Sequence, residues 1–499
     1  MLFNSIDFLL FFPVVVMIYY IIPQRIKYIW LLAASYYFYM NWNVKYVLLL
    51  FSSTIVTYVC GRLIGGIEIK KIDKKRAEIY KKISLMGCLL INLGILFIFK
   101  YYGFFANSIG NLLIQLRIEA RMPQYDIILP VGISFYTFQA LSYTIDVYRG
   151  EIYAEKNFLK YALFVSFFPQ LVAGPIERSK NLLKQLGKNG KCSSRQIKEG
   201  LFLMLWGYFL KIIIADRAAV IVDNVYNNVG IYGGWYLIAA TFLFAMQIYC
   251  DFAGYSTIAM GAAKILGINL MENFDAPYLS KSVSEFWRRW HISLSSWFKD
   301  YLYIPLGGNR KGKIRKYINL MIVFCVSGLW HGASWTFILW GGINGFFQVV
   351  EDVLKEIKNK FFSALPNRKE NRLGTSILKT VVTFCLVDFA WIFFRADTMQ
   401  TAIDVVRSMV QVRNMGIIFD GSLFELGLER YNVWILLIAL LILLLADIVK
   451  YKGVCIRARI LASEGWFQWG IIILSFWFIL MLGIYGVDYD TGQFIYFQF

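Results

Sequence analysis

Histidine is nearly absent from this sequence: two occur in 499 residues, at positions 291 and 331. Cysteine is sparse and scattered, at 60, 88, 192, 250, 325, 385 and 455, with no CxxC pair and no Cys-His spacing. That pattern argues against a zinc-ligand set and a disulfide framework, so no metal site is expected and the thiols read as buried apolar groups. There is no Pro/Ser-rich linker, no low-complexity tract and no internal repeat. One multi-pass membrane domain is therefore expected over residues 1–499. The start of the chain also lacks a positive n-region before its first apolar run and a small-residue cleavage site after it, so it does not read as a cleaved signal peptide.

Apolar residues, by contrast, are abundant. Fifty-eight per cent of the chain is hydrophobic and 18% aromatic, with mean hydropathy +0.55. Crossing a hydrocarbon core of ~30 Å takes a helix of roughly 17–25 mostly apolar residues. Such runs recur at Ile6–Ile22, Tyr46–Ile64, Ile83–Phe99, Trp235–Cys250 and Trp469–Gly486. Two shorter ones, Thr380–Phe394 and Val433–Ala446, need to extend into their flanks to span. The expectation is an all-α integral membrane protein, a polytopic helical bundle in the cell membrane. Phe104–Arg121 is too polar to span easily and reads as an interfacial amphipathic helix.

Acidic residues are outnumbered, 32 against 51 Lys and Arg, for a formal charge of +19. A balance of that kind also occurs in nucleic-acid-binding proteins. Here the cations gather in short segments between apolar runs: Lys70–Lys82, Arg178–Lys198, Arg310–Lys316, Lys355–Lys379 and Lys450–Arg459. That placement follows the positive-inside rule and contact with anionic lipid, so no nucleic-acid partner is expected. The first cations, Arg25 and Lys27, follow the first span and put the amino terminus outside.

Residues 274–316 break the apolar pattern. They carry Asp275, Glu285, Arg288, Arg289, His291, Lys299 and Asp300 among aromatic residues. Polar chain at membrane depth is tolerated only where protein or a cavity surrounds it, so re-entrant or tunnel-lining structure is expected here. Were the segment one helix, Trp287, Trp290, His291, Leu294 and Trp297 would share a face. His331 lies in Val326-Ser-Gly-Leu-Trp-His-Gly-Ala-Ser-Trp335, where Gly328, Gly332 and Ala333 leave room beside it. An ionisable side chain within a membrane segment is costly, and is a functional hypothesis by default. Burial keeps imidazole neutral and able to accept a proton; the alternative is a structural histidine bonded to a carbonyl.

The run Asp251–Arg310 contains Asn273-Phe-Asp-Ala-Pro-Tyr278, Phe286–Asp300 and Tyr303-Ile-Pro-Leu-Gly-Gly-Asn-Arg310. With Leu129–Phe135, Phe168–Ile176, Trp391–Ala396 and the terminal Phe494–Phe499, it closely resembles the membrane-bound O-acyltransferase (MBOAT) family. The match is to the bacterial branch similar to the alginate O-acetyltransferase membrane subunit, and it covers essentially the whole chain. The resemblance implies an MBOAT-type bundle with re-entrant helices and a central tunnel, and a catalytic core within residues 274–340. It implies a catalytic histidine at His331 and the second motif position at His291, which would orient the acyl group or polarise its carbonyl. Asp251, Asn273, Asp275, Trp290, Trp297 and Trp330 become candidate substrate or tunnel groups. Arg310, Lys311 and Lys313 are candidates for donor phosphates, unless positive-inside topology alone explains them.

No permanently bound cofactor is implied. The donor would be a thioester, acyl-CoA (acetyl-CoA foremost) or an acyl-carrier, and the acceptor the hydroxyls of an extracellular polysaccharide or cell-wall glycan. An extracytoplasmic partner of the SGNH-hydrolase type is also implied. In the aromatic tail, residues 487–499, Tyr496 would serve as an acyl relay, or else as an interfacial anchor. Two other readings stand beside this one: D-alanyl transfer to teichoic acid from a carrier thioester, and a non-enzymatic lipid-linked glycan transporter.

Overall fold

The computed structural model describes residues 1–69, 73–118, 123, 129–172, 174–186, 193–362, 373–411 and 414–484. Regular structure among them is helical throughout. In the first part of the chain lie α1 (Ile6–Ile21), α2 (Lys27–Met40), α3 (Val47–Ile69), α4 (Lys74–Leu96), α5 (Tyr102–Gln115), α6 (Ile133–Tyr148), α7 (Phe158–Ser166), α8 (Phe168–Leu171), α9 (Ser179–Leu186) and α10 (Ser194–Tyr208). Then come α11 (Asp216–Tyr226), α12 (Trp235–Ile265), α13 (Val283–Arg289), α14 (Ile292–Phe298), α15 (Lys313–His331), α16 (Trp335–Phe362) and α17 (Leu373–Arg395). The last are α18 (Met399–Val410), α19 (Arg430–Tyr451), α20 (Ile456–Ile460) and α21 (Gly465–Leu482).

Six helical stretches among the described residues are long and apolar enough to cross a membrane: Val44–Ile67, Lys74–Gln115, Trp235–Ile265, Leu373–Arg395, Arg430–Tyr451 and Gly465–Leu482. Their outward faces carry bulky apolar groups. On α21, Trp466, Leu474 and Met481 are at least 70% exposed, an arrangement water would penalise and lipid tails accept. The two short apolar runs do extend into their flanks, as α17 and α19. One expectation changes: Phe104–Gln115 is no separate helix but the end of one run, Lys74–Gln115, continuous through a π-helical turn at Phe97–Tyr101. The basic Lys70–Lys82 segment is likewise helical from Lys74. Helix propagation is cooperative, and neither segment holds a Gly/Pro pair to stop it.

The chain forms two compact units, Met1–Gly200 with Ala259–Met271, and Leu201–Ile258 with Glu272–Phe499. In the first, α6 is buried along nearly its whole length. Gly132 opens that helix at φ +74°, and a Cβ there would meet the Leu171 carbonyl, so only glycine lets the 129–135 and 168–176 motifs touch. In the second unit, α15 and α16 pair through their glycines. A Cβ on Gly328 would collide with the Phe337 carbonyl, and one on Gly341 with the Phe324 carbonyl. Close backbone approach of this kind is how membrane helices gain dispersion contact without a hydrophobic driving force.

Candidate active site

The second unit builds its polar centre from two helix ends. His331 is the last residue of α15, and His291 precedes α14. The single helical face expected through residues 287–297 does not form. Helix α13 ends at Arg289, Trp290 is extended, and His291 has φ +42°, ψ +54°.

What holds that break is Asn273, 1% exposed. Its carbonyl accepts from Ile292 N–H at 3.0 Å, its Oδ1 accepts from Ser293 N–H at 3.2 Å and its Nδ2 donates to Ser256 Oγ at 3.1 Å. Asp275 N–H donates to the Arg289 carbonyl at 3.0 Å, and Arg289 Nη1 returns to Asp275 Oδ2 at 2.7 Å. A non-glycine residue in the left-handed region costs about 1–2 kcal/mol. Several buried hydrogen bonds of about 0.5–1.5 kcal/mol each outweigh it.

The two histidines, 40 positions apart by their numbers, meet with ring centroids 6.5 Å apart. His291 is 1% exposed and His331 4%. Phe252 of α12 lies edge-on to His291 at 4.5 Å, and Ser293 Oγ is 3.5 Å from its Nδ1. Burial pushes the His291 pKa down to about 3, so its ring is neutral. His331 is enclosed by Trp330 at 4.9 Å, Trp340 at 5.1 Å and Phe394 at 5.4 Å. Trp340 stacks on Trp391 at 5.5 Å, and Trp391 meets Trp290 at 5.1 Å. The glycines beside His331 do not leave empty room as expected: Phe337 occupies the space a Cβ on Gly332 would need. With His291 neutral, an imidazole pair packed among aromatic rings suits proton transfer and polarisation of a carbonyl.

The structure gathers His291, His331, Asn273, Trp290 and Trp330 around this chamber. Asp275 points elsewhere, 41% exposed and paired with Arg289. Trp297 packs on Tyr301 at 5.0 Å. Arg310 and Lys311 are exposed, and Lys313 pairs with Glu356 at 2.7 Å. Tyr496 and the tail lie outside the described residues.

Asp251 belongs to an ion cluster that sequence reasoning missed. Lys211 Nζ lies 2.7 Å from Asp251 Oδ1 and 2.9 Å from Asp216 Oδ1, all three side chains at most 6% exposed. Lys211 occupies a π-helical turn, Phe209–Ala215. A lone lysine in that apolar stretch was the available signal, since buried cations need partners. Two further polar supports were also missed. Asn344 accepts from Trp287 Nε1 at 3.3 Å and donates to the Trp340 carbonyl at 2.9 Å. Tyr249, packed on Trp290, donates to Asp447 at 3.0 Å.

Comparison with known proteins bears on what this chamber does. A model described as the membrane-bound O-acyltransferase family matches residues 151–386, which hold both histidines. The chain is also 38% identical over 405 residues to a probable alginate O-acetylase of Pseudomonas aeruginosa, covering 81% of this chain and 73% of that protein. The chain belongs to the membrane-bound O-acyltransferase family. A peptidoglycan O-acetyltransferase of Helicobacter pylori is 34% identical over 467 residues, 87% of this chain and 84% of that protein. A teichoic acid D-alanyltransferase of Bacillus subtilis is 27% identical over 291 residues, 54% and 70% of the two chains. The protein is thus a multi-pass membrane acyltransferase, and family membership displaces the reading as a non-enzymatic transporter.

Proposed function

We propose that this MBOAT enzyme moves an acetyl group from a cytoplasmic thioester, acetyl-CoA, across the bacterial cytoplasmic membrane toward hydroxyls of an extracellular polysaccharide or cell-wall glycan. The meeting of the chain's two histidines in one buried aromatic chamber is the observation that carries this reading. His331 is the general base. A ring nitrogen takes the proton of the acceptor hydroxyl as its oxygen attacks the thioester carbonyl. His291 helps hold the carbonyl oxygen as it gains charge. The tetrahedral intermediate then collapses, the C–S bond breaks, and the imidazolium returns its proton to the leaving thiolate. Reaching a ring this enclosed requires a passage from the donor side, which Trp330, Trp340 and Phe394 would line.

Because the donor is inside and the glycan outside, the hydroxyl acylated first belongs to a relay. Tyr496 is the proposed relay, and a partner of the SGNH-hydrolase type would complete transfer to sugar. Acetyl is favoured over D-alanyl because the acetyl-transferring relatives are the more similar, 38% and 34% identical against 27%. Labelled acetyl-CoA and a D-alanyl-loaded carrier, offered in parallel, separate the two. Mass analysis of surface glycans from cells expressing wild type, Tyr496→Phe or no copy tests the relay. Acetyl esters are expected with wild type only, and full acetylation with Tyr496→Phe would remove the relay from the scheme.

A further inference from the structure

The first unit holds a cavity lined by none of the residues that surround the two histidines. It is a half-open cleft of about 480 Å³ between the end of α1, the turn into α2, α7, α9 and the Leu266–Asn269 segment. Among the described residues three cations line it, Arg25, Lys27 and Lys160, and no Asp or Glu does. None of the three forms an ion pair among the described residues. Two of them instead lie over aromatic rings, Lys27 Nζ 4.4 Å from the Tyr19 ring centroid and Lys160 Nζ 5.6 Å from that of Tyr28. Glu177, which accepts from the lining residue Asn181 at 3.0 Å, also accepts from the Met271 N–H and so serves the wall. The floor is fixed as well: Gln185 and Asn269 exchange hydrogen bonds at 2.9 and 2.8 Å, and Tyr19 OH donates to the Leu266 carbonyl at 3.0 Å.

Three like charges around one cavity repel each other unless an anion joins them. A phosphate suits lysine and arginine together, accepting charge-assisted hydrogen bonds from each. The cavity adjoins the end of α1, where Met17 and Ile21 are 58% and 81% exposed, an apolar surface on which acyl chains can lie. We propose that this cavity binds a phosphate-bearing anion, the headgroup of an anionic membrane lipid being favoured by that apolar surface. The other source of the same chemistry is the phosphates of coenzyme A.

Full-length protein in phosphatidylcholine nanodiscs would be titrated in two arms, one with phosphatidylglycerol and one with coenzyme A, and binding read by native mass spectrometry. Compared with wild type, Arg25→Gln/Lys27→Gln/Lys160→Gln should bind on the order of a hundredfold more weakly in at least one arm, at roughly fivefold per lost cation. The charge-matched Lys74→Gln/Lys75→Gln/Arg76→Gln should bind as wild type does, and Lys27→Arg should retain affinity. If the triple variant does not purify as a monodisperse protein, Lys27→Gln and Lys160→Gln are each measured singly against the fivefold expectation. Dependence in the lipid arm identifies a lipid site, and dependence in the coenzyme arm a donor site. Equal binding by cavity variants and wild type in both arms, or an equal loss in the charge-matched control, overturns the proposal.

Discussion

Asn273 illustrates how one side chain at the residue scale can set the geometry of a buried histidine pair. Its amide and carbonyl hold His291 in a left-handed conformation that the ring alone would not choose. Asn273→Ala leaves the Ser293 N–H and Ser256 Oγ short of a partner. The expected cost is about 1–3 kcal/mol of stability, with a larger proportional loss of turnover than Asn344→Ala causes. Thermal inactivation and acetyl-transfer rates, measured on both variants, check this. Equal stability in Asn273→Ala and wild type would show that His291 is positioned by something else. The lysine cluster makes a second residue-scale case. Lys211→Met strands two buried carboxylates and is expected to destabilise by about 3–5 kcal/mol. Adding Asp251→Asn to Lys211→Met should recover part of that loss. A thermal shift no smaller in the double variant than in the single one would refute the pairing.

Between elements, close glycine contact decides where His331 sits. Gly328 lets α15 approach the Phe337 carbonyl, and His331 follows one turn later. Gly328→Ala should therefore push the helices apart, at about 1–3 kcal/mol for an overpacked contact. It should lower turnover more than the distant Gly374→Ala, whose Cβ meets nothing within 4 Å. Transfer assays on the two variants make the comparison, and equal activity would mean the α15–α16 contact does not position the ring. Arg217 plays a related part. It donates to the Ile213 carbonyl at 3.1 Å, to Asn432 Oδ1 at 3.1 Å and to the Leu482 carbonyl, joining α11, α19 and the end of α21.

The elements themselves were largely legible in the sequence. Apolar length located the six long spans, and the flanks of α17 and α19 are helical too; α1, also expected to cross, is a 16-residue helix shorter than those six. The break at His291 was not legible. Period-3.6 spacing fits residues 287–297, and only hydrogen bonds from Asn273, distant in sequence, override it. Lys211 could have been noticed as a lone cation in an apolar run, but its partners Asp216 and Asp251 lie on different helices. The role of Gly328 and Gly332 was misread for a similar reason, since a small residue announces close approach without naming what approaches.

For the whole molecule, the decisive feature is a buried histidine pair inside a multi-pass membrane acyltransferase. Tryptophan and phenylalanine shield the two rings from water, and under the proposed function that shielding would strengthen every dipole aimed at a developing oxyanion. General-base assistance is worth about 10²–10⁴-fold in rate. The most direct test is single-turnover transfer of labelled acetyl from acetyl-CoA by purified enzyme in proteoliposomes, comparing wild type with His331→Ala at equal insertion. Wild type is expected to consume the thioester, with His331→Ala slower by at least that factor. Undiminished transfer by His331→Ala would contradict the role assigned to this imidazole.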